Sequence, residues 1–170
     1  MLPNFISLSR IILILPIIYL LMSGNNYLAL VIFFIASFTD FLDGFLARKT
    51  NNETILGSNL DLLADKIFVC VLLIFISFHF DNFIFLIMTL LILIREFTVN
   101  MIRQYFLELG EKNRSKVNFF GKFKTFFQFL SIGVSIIFLD SQYSKLAEFL
   151  IILSALFAWL SLLNYIYAKE

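Results

Sequence analysis

Long apolar runs broken by brief polar clusters set the pattern of this chain. A helix that crosses a bilayer needs about 20 residues, at about 1.5 Å each over a ~30 Å core. The first run extends from Ile11 to Met22, lengthened backward through Phe5, and stops at the turn signal Ser23-Gly24-Asn25-Asn26. The second starts at Tyr27 and must reach about Arg48 to cross, with Lys49 to Thr54 as a polar loop. A third covers Ser58 to Phe78, ahead of the turn His79-Phe80-Asp81-Asn82, and a fourth Phe83 to about Tyr105. After the longest polar stretch, Glu108 to Asn118, come runs at Phe119 to Leu139 and Ala147 to Tyr167. The pattern predicts an all-α, polytopic membrane protein with six transmembrane helices, one domain over residues 1–170, and both termini on one side.

Composition sharpens this reading. The 170 residues are 61% hydrophobic and 15% charged, with 23 Phe and 2 Pro, whereas soluble domains are about 45–50% apolar and about 25% charged. A soluble globular domain is excluded. The net charge of +1 leaves no excess of cations for a nucleic-acid partner. Cys70, the single cysteine, sits in an apolar run and reads as a small buried hydrophobe. The N-terminus has the outline of a signal peptide, with Arg10 before an apolar run. Further spans follow it, however, and no small-x-small cleavage site comes after Met22, so it reads as a retained first helix. Of the 13 basic residues, only Lys145 falls in the three loops on the far side. The positive-inside rule then places both termini and the Arg48–Gly57 loop in the cytoplasm.

Against this background the acidic residues at 40–65 stand out. Asp40 and Asp43 are spaced i, i+3, and Asp61 and Asp65 i, i+4, so on helices each pair lies on one face. Small residues lie beside them: Gly44, Ala47, Gly57 and Ala64. Asp40 follows Tyr27 by 13 residues, which puts it ~20 Å along its helix and inside the cytoplasmic third of the bilayer. A carboxylate facing lipid at such depth costs about 2.5–3.5 kcal/mol. Four of them require a cavity open to the cytoplasm, and their mutual repulsion requires cations. Two divalent ions held by oxygen ligands meet that need. The plainer alternative is a set of helix-end charges neutralised by Arg48, Lys49 and Lys66. An ion transporter or channel is the other class that places acids within a membrane, although no inverted repeat or pair of broken spans is visible.

The segment fits D-x2-D-G-x2-A-R-x8-G-x3-D-x3-D as Asp40, Asp43, Gly44, Ala47, Arg48, Gly57, Asp61 and Asp65, with every position filled. This resembles the signature of the CDP-alcohol phosphatidyltransferases. The resemblance implies a fold of six transmembrane helices with the signature spanning helices two and three. It implies that Asp40, Asp43, Asp61 and Asp65 hold two Mg2+ (or Mn2+) ions, and that Asp65 is also the general base for the acceptor hydroxyl. Gly44, Arg48 and Thr54 would contact the CDP group, with Gly57 clearing room for it, and Asn4 and Ser7 would close over the nucleotide. CDP-diacylglycerol has a soluble head and two acyl chains, so a site just below the cytoplasmic interface suits both ends.

The signature does not select the acceptor alcohol. Arg95 lies ~18 Å into its span, and an intramembrane Arg is a functional candidate by default. Arg103 lies two turns on, and GKFKTFFQ supplies Lys122 and Lys124, with Lys124 and Gln128 sharing a face. A pocket holding several cations suits a phosphorylated acceptor. The same residues have plainer uses: Lys122 and Lys124 as anchors near anionic lipid, and Arg95 in a salt bridge with Glu96. The opening PNFISLSR, Ile94–Phe97 (IREF) and Gly121–Gln128 resemble the bacterial phosphatidylglycerophosphate synthases within the family. One departure is Leu62-Leu63, where that branch usually has Pro-Leu; no ligand is lost. The resemblance implies transfer from CDP-diacylglycerol to glycerol 3-phosphate in a bacterial inner membrane, by a protein that is commonly a homodimer. A cardiolipin synthase or another acceptor within the family is the nearest alternative.

Overall fold

A computed structural model describes residues 2–50, 55–79, 82–110, 119–138 and 144–167, with side chains at 9–39, 63–79, 82–110, 119–138 and 145–167. It forms six helices: α1 (Leu2–Met22), α2 (Asn26–Thr50), α3 (Ile55–His79), α4 (Phe83–Glu108), α5 (Phe119–Ile137) and α6 (Ser144–Tyr167). No strand occurs among the described residues.

Most of the helices outrun the apolar segments that predict them. α1 begins at Leu2, because Pro3 falls in the first turn, where its missing N–H costs no hydrogen bond. α2 continues through Arg48 and Lys49 to Thr50, and α4 through Gln104 to Glu108. Straight-chain charged residues propagate a helix almost as well as Leu, so polarity ends the apolar run without ending the helix. α5 is the exception and stops at Ile137, two residues short of Leu139.

Two turns follow from local chemistry. Gly24 takes φ of +74°, its N–H bonds the Leu21 carbonyl at 3.2 Å, and the Asn25 N–H bonds the Leu20 carbonyl at 2.9 Å. This is a Schellman closure, which requires a left-handed residue after the helix. Asn82 caps α4, its Oδ1 accepting from the N–H groups of Ile84 (2.9 Å) and Phe85 (3.2 Å).

The chain divides into two units, Met1–Ile76 and Ser77–Glu170. In the first, α1 buries Ile14, Ile17 and Leu21, and α2 buries Ala29, Phe33 and Ala36, each set at helical spacing. α3 joins them through Phe68, whose ring stacks on Phe33 with centroids 5.9 Å apart and planes at 10°. In the second unit, two hydroxyls set the register of α5 on α6. Ser131 Oγ donates to the Ala147 carbonyl at 2.9 Å, and Ser154 Oγ donates to the Lys124 carbonyl at 3.1 Å. Seven residues back along α5 thus match seven forward along α6, so the two are antiparallel. The Phe127 and Phe157 rings stack across the same seam. α4 runs parallel to α6, tied by Asn82 Nδ2 to Glu148 (3.2 Å) at one end and by Val99, Leu162 and Tyr165 further on.

Among the described residues two segments, Phe83–Glu108 and Lys145–Tyr167, are long and apolar enough to cross a membrane, and Ser9–Met22 and Asn26–Thr39 are shorter apolar stretches. Phe34, Phe38, Phe97, Met101, Phe126 and Leu156 all point outward. A surface of this kind is stable against lipid and not against water.

Candidate active site

The first unit carries the acidic motif. Asp40 and Asp43 fall in the last three turns of α2, and Asp61 and Asp65 in the first three turns of α3. Both stretches are continuous helix, so the i, i+3 and i, i+4 spacings put each pair on one helix face. The Phe33–Phe68 stack relates the two faces. Asp40 stands seven residues after Phe33, and Asp61 seven residues before Phe68. Seven residues are close to two full turns, so each Asp sits on the line of the helix that carries its stacked ring. α2 and α3 are joined by residues 51–54 alone, a connection short enough to require antiparallel neighbours. Asp40 and Asp61 therefore occupy matching heights, both between the stack and the 51–54 connection.

The fourth carboxylate is seen directly. Arg10 Nη1 donates to Asp65 Oδ1 at 3.3 Å. The Arg10 side chain is 1% exposed and that of Asp65 40% exposed. An arginine with its head in the core of the unit thus holds an acid whose other side faces outward. Sequence reasoning extended the first helix back through Phe5, past Arg10, but gave Arg10 no role in the site. Because α1 begins at Leu2, Arg10 is nine residues into the helix, and the signal that reveals it is a cation with apolar residues on both sides at Ile6, Leu8, Ile11 and Ile12.

The donor set fits divalent ions on chemical grounds, because carboxylates are hard oxygen donors and the motif supplies two of them from each helix. The side chains of Asp40, Asp43 and Asp61 lie outside the described residues, as do those of Asn4, Ser7, Gly44, Arg48 and Gly57, whose backbones are helical. Thr54 lies outside them altogether.

The second unit carries the expected acceptor residues. Arg95 is buried in α4 and turned toward α6, its Nε donating to the Ala158 carbonyl at 2.9 Å and its Nη2 to Ser161 Oγ at 2.6 Å. Its Nη1 donates to Glu96 Oε1 at 3.0 Å. Lys124 is buried in α5 with Gln128 on the same face, and its Nζ forms a salt bridge to the same Glu96 oxygen. Three of the five N–H donors of Arg95 are taken, which leaves one on each terminal nitrogen. Arg103 is half-buried two turns along α4, and Lys122 is exposed, off the face that carries Lys124. Arg95 and Lys124 are brought together through Glu96, and Lys122 is not brought to them. The roles of Ser154 and Ser161 leave no mark in the sequence, since serine in an apolar helix is unremarkable.

An intramembrane-type helical scaffold with a paired-carboxylate motif across two adjacent helices defines the class, and the comparison with protein families agrees. The chain belongs to the CDP-alcohol phosphatidyltransferase family, whose model matches residues 1–165. Relatives carrying the name CDP-diacylglycerol–glycerol-3-phosphate 3-phosphatidyltransferase are similar over most of the chain. That of Wigglesworthia glossinidia brevipalpis is 35% identical, covering 97% of this chain and 92% of its own length. That of Haemophilus influenzae is 33% identical over 96% and 90%, and that of Escherichia coli 31% identical over 77% and 74%.

Proposed function

We propose that this chain transfers the phosphatidyl group of CDP-diacylglycerol to the 1-hydroxyl of sn-glycerol 3-phosphate, releasing cytidine monophosphate and forming phosphatidylglycerophosphate. The observation that supports the reading is the equal spacing of Asp40 and Asp61 from the stacked Phe33 and Phe68 rings. The names of the relatives supply the acceptor.

In this reading Asp40, Asp43, Asp61 and Asp65 hold two Mg2+ or Mn2+ ions. When bound, such ions neutralise the pyrophosphate and stabilise the departing cytidine monophosphate. The remaining work falls to side chains. Asp65, with Oδ1 held by Arg10, accepts the proton of the acceptor hydroxyl as that oxygen attacks the phosphatidyl phosphorus in line. The bond from phosphorus to the bridging oxygen of the pyrophosphate breaks. Gly44, Arg48, Thr54 and Gly57 receive the CDP group, with Asn4 and Ser7 closing over it. Lys124 and the remaining N–H groups of Arg95 bind the acceptor phosphate, with Arg103 adding positive charge. The six helices cross the bacterial inner membrane as one catalytic domain, with both termini and the site on the cytoplasmic side.

The test is an acceptor panel. Purified protein given CDP-diacylglycerol and Mg2+ is assayed for release of cytidine monophosphate with glycerol 3-phosphate, glycerol, serine, inositol phosphate or phosphatidylglycerol. Turnover with glycerol 3-phosphate alone is expected. Preference for phosphatidylglycerol would instead identify a cardiolipin synthase, and absence of release with every acceptor would refute a phosphatidyl transferase.

A further inference from the structure

We infer that Glu96 is a positioning residue of the acceptor-phosphate site, acting on the substrate through Lys124, since Arg95 is held independently by Ala158 and Ser161. This rests on the reading that Lys124 binds the acceptor phosphate.

Glu96 and Arg95 are neighbours in α4, about 100° apart around the helix, and their side chains serve different partners. Arg95 turns to α6, where Ala158 and Ser161 receive it. Glu96 turns to α5, where its Oε1 accepts from Lys124 while also accepting from Arg95 Nη1. One carboxylate oxygen therefore joins two cations from two helices. Lys124 is fixed at both ends: its carbonyl takes the hydroxyl of Ser154, and its ammonium is drawn to Glu96.

A lysine stem has four carbons and an ammonium that acts as a mobile point charge. Held by one carboxylate, the ammonium keeps two of its three N–H donors for an incoming oxygen. The formal charges of Arg95, Glu96 and Lys124 are +1, −1 and +1. Their sum of +1, on side chains that are mostly buried, favours an anion over a neutral alcohol. A second carboxylate in the same place would cancel the attraction, and none would leave the ammonium without a fixed position. Glu96 thus sets where the cation stands without meeting the phosphate.

The experiment compares wild type, Glu96→Gln, Glu96→Asp, Lys124→Met and the double variant Glu96→Gln/Lys124→Met. All are full-length and detergent-purified, and kcat and the KM for each substrate are measured. Loss of a charge-assisted contact predicts a KM for glycerol 3-phosphate raised about 10- to 100-fold in Glu96→Gln, with the KM for CDP-diacylglycerol and kcat little changed. Glu96→Asp, which keeps the charge on a shorter stem, is expected to lie between wild type and Glu96→Gln. It also carries the test if Glu96→Gln does not accumulate as folded protein. The double variant is expected to be no worse than Lys124→Met alone. Both KM values rising together, kcat falling alone, or the two single effects multiplying in the double variant would each overturn the inference. Wild-type protein that turned over with no phosphorylated acceptor would overturn the acceptor reading itself and this inference with it. Wild-type turnover with an unchanged KM in both Glu96 variants would overturn the inference alone.

Discussion

Arg10 and Asp65 form an ion pair with unequal surroundings: the guanidinium is sealed in the first unit at 1% exposure, while the carboxylate is 40% exposed. The two partners therefore differ in what their loss costs. Removing the exposed acid takes one ion-pair partner from a cation that solvent cannot reach, and burial raises the cost of that loss above that of a surface pair. Removing the buried cation leaves an acid that solvent can still reach.

Asp65→Asn is accordingly expected to abolish turnover and to lower thermal stability. Arg10→Met is expected to lower turnover while costing about 1–2 kcal/mol or less of stability, since the contact is partly screened. The double variant should regain most of the stability lost in Asp65→Asn and none of its activity. Thermal unfolding in detergent, read beside cytidine monophosphate release, measures all three. Equal destabilisation by the two single changes would contradict the asymmetry.

The acidic motif predicts a strict dependence on divalent ions. Asp43→Asn is expected to reduce kcat by at least about 10²-fold without changing helical content by circular dichroism. Chelation of the wild type should abolish release of cytidine monophosphate, and Mg2+ or Mn2+ should restore it. Turnover that survives exhaustive chelation would remove the role assigned to the four aspartates.

The stacked rings of Phe33 and Phe68 lie seven residues from Asp40 and Asp61 and hold α2 on α3. Phe68→Ala removes a fully buried ring and is expected to cost at least about 2 kcal/mol. Because the two acidic faces would then lose their common register, the Mg2+ concentration for half-maximal rate should also rise. Phe68→Leu, which fills more of the space, should show less of both effects. A loss of stability with no change in the Mg2+ requirement would separate the stack from the site.

The hydroxyl bonds between α5 and α6 are individually small. Ser131→Ala is expected to cost about 0.6 kcal/mol, the average for such bonds between membrane helices. Ser154→Leu forces a large side chain into a fully buried position against Lys124, and should cost about 1–3 kcal/mol. Thermal unfolding of the two variants side by side tests the ranking.

Much of this architecture is legible in the chain. The number and order of helices follow from apolar run length and from turn clusters such as Ser23–Asn26, whose Gly24 supplies the left-handed residue that the turn needs. Helix ends are less legible, because a residue such as Arg48 ends the apolar run without ending the helix. The aspartate spacing is readable because helical periodicity alone places each pair on one face. The role of Arg10 was not legible, because its partner Asp65 lies 55 residues away. The neighbour pairing of Arg95 with Glu96 could be anticipated from adjacency, whereas the reach of Glu96 to Lys124, 28 residues away, depends on packing that no local pattern encodes.

The two serine hydroxyls on the α5–α6 seam are spaced by the same seven residues on both strands of the hairpin. Sliding one helix past the other by a single step would disturb both bonds and the Phe127–Phe157 stack together. The height of the Lys124 ammonium is in this way keyed to the alignment of whole helices. A shift of register between the two helices would carry that ammonium with it, away from the carboxylate on α4.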